Sequence, residues 1–164
     1  MGVLTDYFRA TDAASVVQAL ERTNGGPLVG GERPLFDGVE AKRLDPCIVL
    51  GQLIAAITQA PWQVGLVEET SVWPTTPAPG PGDTQDEDDP WVTGPWVSEL
   101  DTVVRDTLAG VRDADVVAVV ATWVRTEELH PAGVEDMQPL AADLIRLARR
   151  AREADEQLYC WICL

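Results

Sequence analysis

The sequence predicts a single α+β domain, in which a mixed β-sheet that includes the N- and C-terminal strands is packed by about five helices. The chain of 164 residues has the length of one domain. Apolar residues make up 46% and charged residues 24%, which is ordinary globular usage and argues against wholesale disorder. Strand-like segments at both ends of the chain enclose several amphipathic helical segments.

The strands are predicted from alternation and from β-prone composition. In residues 3–9, the side chains of Leu4, Asp6 and Phe8 alternate with those of Val3, Thr5 and Tyr7, which predicts the first strand. Residues 158–164 are almost continuously apolar, which is typical of a strand covered on both faces. Shorter strands are predicted within 35–39 and 64–73. We therefore place both terminal segments in one sheet.

The helices are predicted from caps and from apolar periodicity. The clearest begins at Asp45-Pro46, where a capping carboxylate precedes a proline at the first helical position. Ser98 and Asp101 resemble a capping box, which predicts a helix that begins at Ser98. Periodic apolar side chains predict the remaining helices at residues 12–23, 116–123 and 135–154.

A proline-rich acidic segment interrupts this pattern at residues 74–95. It contains six prolines, three glycines, five acidic residues and no basic residue. This composition predicts a flexible loop within a single domain that spans residues 1–164. Its tryptophans either anchor a partner protein or attach the loop to the body of the domain. The candidate partner-binding residues are Asp86, Glu87, Asp88, Asp89, Trp91 and Trp96.

The charge of the chain excludes several classes of partner. Twelve basic residues against 27 acidic ones leave a net charge of −15, which repels phosphate backbones and anionic membrane surfaces. The longest apolar stretch, residues 47–57, is interrupted and is shorter than the ~20 residues that a membrane span needs. The first residues lack the apolar run of a signal peptide, which predicts a cytoplasmic protein.

The residues that commonly perform catalysis or bind metals form no recognised constellation. Cys160 and Cys163 have C-x-x-C spacing, but residues three apart in a strand point to opposite faces. We therefore predict buried structural cysteines, with redox chemistry and metal binding as alternatives. A zinc site needs two more ligands, and Cys47 and His130 lie far apart in the sequence. No catalytic residue, metal or cofactor is predicted.

One compact group of polar and aromatic residues forms a candidate ligand pocket beside the helix at 116–123. Its members are Trp123, Arg125, Glu127 and His130, with Asp37, Glu40 and Lys42 as further candidates. Such a group lines a pocket, or it is the solvated end of a helix whose tryptophan packs inward.

The order of features resembles the YfbM-like family of small bacterial proteins of unknown function. The matching features are the opening Met1-Gly2 with Tyr7 and Arg9, the helix start at Leu44-Asp45, the pair Trp73-Pro74, and the long final helix that leads into an apolar closing strand. The resemblance implies an α+β or α/β domain whose terminal strands share a mixed sheet. It supplies no functional residue, because the family has no established active site.

Two functions stay open from the sequence. The first is a non-catalytic, immunity-like or regulatory protein that binds a basic protein partner through the acidic loop. The second is a small-ligand-binding protein or enzyme with a pocket near Trp123, Arg125 and Glu127. The sequence leaves the oligomeric state open.

Overall fold

A computed structural model of the chain describes residues 2–84 and 86–164 and shows an α+β fold. Met1, which belongs to the family resemblance, and Gln85, which belongs to the acidic loop, lie outside the described residues. The strands are β1 (Leu4–Ala10), β2 (Gly38–Glu40), β3 (Glu69–Trp73), β4 (Trp96–Leu100) and β5 (Gln157–Cys163). The helices are α1 (Ala13–Thr23), α2 (Gly51–Thr58, entered through a π-helical turn at Pro46–Leu50), α3 (Pro90–Thr93), α4 (Thr102–Ala109), α5 (Val116–Trp123) and α6 (Val134–Glu153).

The strands form one sheet in the order β2-β1-β5-β4-β3. The two terminal strands belong to one sheet, as predicted, and the structure shows that they are neighbours that pair from Leu4↔Cys163 to Ala10↔Gln157. All four strand pairings are antiparallel, so the predicted mixed sheet is wrong in this respect. Alternation of apolar residues predicts strands but does not encode the direction of their neighbours, which depends on how the chain crosses the sheet.

The helices divide unequally between the two faces of the sheet. α4 and α6 pack on one face, and α2 and α5 pack against them, which forms the larger core. α1 packs on the opposite face over the smaller core. α6 is amphipathic as predicted, and its buried residues are Ala141, Leu144, Ile145, Leu147, Ala148 and Ala151. The face covered by two layers of helices therefore contains most of the contacts between helices.

The predicted helix start at Ser98 is wrong. Ser98 lies in β4, where it pairs with Ser71 on one side and Cys160 on the other. The helix cap is Asp101, whose Oδ1 accepts a hydrogen bond from the backbone N–H of Val103 at 3.1 Å. Hydrogen bonding to two neighbouring strands outweighs the local capping pattern, because a ladder on both sides satisfies more backbone groups than one cap.

The predicted helices near Asp45-Pro46, at 116–123 and at 135–154 are confirmed by α2, α5 and α6. The number of helices in the described residues is six, because the four-residue α3 forms inside the acidic loop. Among the described helices, none is both long enough and apolar enough to span a bilayer.

Candidate functional site

The two tryptophans join the ends of the acidic loop to each other and to β4. Trp91 Nε1 donates hydrogen bonds to the carbonyl oxygen of Thr76 at 3.2 Å and to its Oγ1 at 3.1 Å, which connects two residues of the loop itself. Trp96, the first residue of β4, donates from Nε1 to the carbonyl oxygen of Trp91 at 3.2 Å. Both indole rings are half-buried. These contacts fit the predicted attachment of the loop to the body of the domain, and the partner-anchoring role stays a prediction.

The acidic residues of the loop divide into two groups. Asp89 caps α3, where its Oδ1 accepts from the backbone N–H of Trp91 at 2.8 Å. Asp83, Asp86, Glu87 and Asp88 are exposed, and none of them takes part in an ion pair between described residues. Like-charged groups on one short segment produce a negative potential that extends into the solvent. The loop therefore presents an acidic surface of defined position.

Trp123 and the other members of the predicted group lie in different environments. Trp123 is fully buried in the larger core, and its Nε1 donates to the carbonyl oxygen of Val49 at 3.0 Å. Arg125, Glu127 and His130 follow it and are exposed to solvent. The geometry matches the alternative interpretation of a solvated helix end with its tryptophan packed inward. Trp123 is 0% exposed, so its ring offers no surface to a ligand.

The structure instead shows a groove of about 860 Å³ between α2 and α5. Small or apolar side chains line it, among them Ala55, Ala56, Ala118 and Val119. The volume lies within the ~300–1,000 Å³ typical of small-ligand sites. Trp123, Arg125, Glu127 and His130 are not among the described residues that line this groove.

Trp62 lines the same groove and is held in place from beneath. Its Nε1 donates to the carbonyl oxygen of Cys47 at 3.2 Å, and its ring lies directly over Gly51. A Cβ atom at residue 51 would lie 2.8 Å from that indole nitrogen, so a larger side chain would displace the ring. Trp62 is 37% exposed, which leaves part of the ring available for contact. No sequence pattern singled out Trp62, because its contacts with Cys47 and Gly51 depend on the fold.

Gln52 provides a polar group in this groove. Its Nε2 donates to Glu128 Oε2 at 2.6 Å, while its buried Oε1 has no donor among the described residues. A buried acceptor without a donor costs about 1–3 kcal/mol. At the other end of the groove, Arg112 and Asp115 form an exposed ion pair at 2.7 Å.

The three further candidates Asp37, Glu40 and Lys42 lie away from the groove. Asp37 accepts hydrogen bonds from Arg9 Nε and from Arg150 Nε, each at 2.7 Å. These guanidinium groups hold the pKa of Asp37 below its ordinary value, and the hydrogen bond from Arg150 is the largest cause. Lys42 is exposed. Asp37 therefore links the end of β1 to α6, and its carboxylate is already occupied by these two arginines.

Glu40 lies beside a carboxyl group that the sequence did not single out. Asp6 on β1 pairs with Glu40 on β2 and is 8% exposed. Burial, and to a smaller extent the negative charge of Glu40, raise the pKa of Asp6 from 3.8 to about 6. Alternation in residues 3–9 placed Asp6 in a strand but did not reveal that α1 and the loop after it cover that face.

The cysteines have the strand geometry that the sequence predicts. Cys160 is fully buried in the larger core, and Cys163 packs against the smaller core on the opposite face. Both are free thiols, and burial raises the pKa of Cys160 well above the ordinary value. No group of three metal-ligating side chains occurs within residues 2–84 and 86–164. Cys160 is unsuited to thiolate chemistry because its charged form is disfavoured.

Comparison with protein-family models, with curated proteins and with solved structures finds no match to this chain. The YfbM-like resemblance therefore stays a prediction.

Proposed function

We propose that this protein is a non-catalytic binding module that recognises a basic protein partner through the acidic loop at residues 74–95. The observation that supports the proposal is the set of four exposed acids, Asp83, Asp86, Glu87 and Asp88, on a loop that Trp91 closes on Thr76 and that Trp96 joins to β4.

Charge complementarity supports a basic partner. Negative groups on one surface accelerate encounter with a positive surface and disfavour acidic competitors. Because hydrogen bonds join Trp91 to Thr76 and Trp96 to Trp91, the ends of the loop are already held together, and binding requires less ordering of the chain than a free linker would. Val92 is 41% exposed in α3, beside these acids, and adds apolar contact area.

We expect a loop variant with Asp83→Asn, Asp86→Asn, Glu87→Gln and Asp88→Asn to lose its partner. The tagged protein is used to capture the partner from its host's lysate at low and moderate salt, and bound proteins are quantified by mass spectrometry. The wild type should retain one stoichiometric basic protein at low salt and release most of it at moderate salt, since exposed charges are screened.

The matched control removes the same number of charges elsewhere. Its substitutions are Glu21→Gln, Glu32→Gln, Glu153→Gln and Asp155→Asn, all at exposed positions. The control has the same net charge as the loop variant, so it separates the loop's local field from the charge of the whole protein. Equal capture by both variants, or capture that moderate salt does not weaken, would contradict the proposal.

The groove between α2 and α5 favours a second candidate function, binding of a small apolar ligand. We expect Ala118→Trp to fill the groove and abolish the increase in melting temperature that a ligand from a metabolite screen produces. Val117→Trp is the matched control, because Val117 is adjacent and exposed but does not line the groove. A ligand whose stabilising effect survives Ala118→Trp does not occupy this groove.

A further inference from the structure

β3 is an open edge of the sheet. It is the last strand in the order β2-β1-β5-β4-β3 and pairs only with β4. Glu69, Thr70 and Ser71 are exposed, and the acidic loop begins directly after Trp73. The opposite edge strand, β2, has three residues, whereas β3 has five. An exposed edge of this length offers backbone groups to another strand.

The hydrogen-bond pattern identifies which backbone groups point outward. The backbone N–H of Asp101 donates to the carbonyl oxygen of Glu68 at 3.0 Å, so these opposed residues form a hydrogen-bonded pair. Hydrogen-bonded and non-hydrogen-bonded pairs alternate in an antiparallel ladder, which makes Thr70 and Glu99 the next hydrogen-bonded pair. The N–H and C=O groups of Glu69 and Ser71 therefore face away from β4.

These outward groups have no partner in the neighbouring loops. Among the described residues, no turn or loop hydrogen bond uses the backbone of Glu69 or Ser71. Extended peptides bind such edges by adding a strand, in which main-chain hydrogen bonds provide affinity and alternate side chains provide specificity.

The charges at this edge select the occupant. Glu68 and Glu69 are exposed at this edge, and the acidic loop follows β3 in the sequence. A second copy of this chain would bring a second set of the same acidic charges to this edge, which is unfavourable. A segment in which lysine or arginine alternates with small or β-branched residues instead places its cations beside Glu69 and its smaller residues beside Thr70.

We propose that β3 accepts an extended, Lys/Arg-bearing segment of the partner as an additional edge strand, with the outward backbone groups of Glu69 and Ser71 forming its hydrogen bonds. This inference rests on the proposed function, because it specifies how the basic partner is held. The acidic loop attracts the segment, and the β3 edge fixes its direction and register.

The first test measures amide hydrogen exchange by NMR in the full-length wild-type protein. The probe is a capped octapeptide of alternating lysine and threonine. At saturation we expect exchange of the Glu69 and Ser71 amides to slow at least about tenfold, because strand addition hydrogen-bonds them. Thr70, already bonded to Glu99, should change little.

Two control peptides separate strand addition from charge attraction. An octapeptide of alternating glutamate and threonine should not bind. When the segment adds antiparallel, the lysine opposite Glu69 directs its backbone N–H toward β3. A lysine–threonine peptide with N-methylated lysine backbone amides keeps every positive charge but lacks these donors, and it should bind at least about tenfold more weakly. Failure of the unmodified lysine–threonine peptide to bind, or binding without slower exchange at Glu69 and Ser71, overturns the strand-addition proposal.

The second test uses Ser71→Pro, with Ser71→Ala as the matched control. Proline removes the outward N–H and leaves all acidic residues in place, and edge strands tolerate proline where the N–H faces solvent. We expect Ser71→Pro to weaken the lysine–threonine peptide at least about tenfold and Ser71→Ala to leave its affinity unchanged. Should Ser71→Pro not fold, the exchange measurement on the wild type decides the question.

The two proposals fail in different ways. Loss of partner capture in the loop variant, together with unchanged binding in Ser71→Pro, leaves the acidic loop as the binding surface and overturns strand addition. Equal capture by the loop variant and its charge-matched control overturns the proposed function, whatever the exchange of Ser71 shows.

Discussion

Replacement of Trp123 with alanine is expected to lower the free energy of unfolding by about 3–5 kcal/mol, the range for removing a large aromatic side chain from a core. Trp123 is 0% exposed and lies where α5 meets α2. Its indole N–H also donates to the Val49 carbonyl oxygen at 3.0 Å, so alanine leaves both a cavity and a missing donor. Urea denaturation followed by circular dichroism measures the change.

Two further variants separate these contributions. Trp123→Phe keeps most of the apolar volume but removes the indole donor and part of the ring, so we expect a smaller loss of about 1–3 kcal/mol. Trp62→Ala removes the same side chain from a position that is 37% exposed, and should cost less than Trp123→Ala. A Trp123→Ala protein as stable as the wild type would show that Trp123 does not pack in the core.

Replacement of Asp6 with asparagine is expected to stabilise the protein relative to the wild type at pH 7.5 and to do so less at pH 4. The pKa of Asp6 is about 6 in the folded state and near 3.8 when unfolded, mainly because of burial. The folded state therefore binds the proton more tightly, and stability from this group falls as the pH rises from about 4 through 6. The stability difference between the two proteins should change by about 2 kcal/mol between pH 4 and 7.5.

The measurement is urea denaturation of both proteins across this pH range. Taking the stability difference between the two proteins cancels the contributions of the other carboxyl groups. One of these is Asp37, whose lowered pKa changes stability with pH in the opposite direction. Glu40→Gln is the control: it removes the smaller cause of the shift, so wild-type Asp6 should keep most of its raised pKa in that background. A pH-independent difference between Asp6→Asn and the wild type would mean that Asp6 is solvated in the folded protein.

Local patterns were sufficient to predict most of the secondary structure. Asp45-Pro46 begins a helical segment, residues 135–154 form an amphipathic helix, and both terminal segments are strands. These features depend on caps and on the spacing of apolar side chains, which act between residues close in the sequence. Ser98 was misassigned because its cap-like spacing is also local, whereas its strand pairs with Cys160, distant in the sequence.

The features of the candidate sites also divide into those that local sequence specifies and those that depend on tertiary contacts. The acidic character of residues 74–95 is a property of composition and was evident without a structure. The hydrogen bond from Trp96 of β4 to Trp91 of that loop, the opening between α2 and α5, and the free edge at β3 each require knowledge of which elements are neighbours.

The sequence by itself determined the α+β class, the strand character of both terminal segments and the acidic segment, because short-range periodicity and composition specify them. Only the tertiary structure decided that the sheet is antiparallel, that Trp123 is a core residue and that Asp6 is buried beside Glu40. The physical reason is that strand direction and burial arise from contacts between distant segments, and the same local pattern is compatible with several such arrangements.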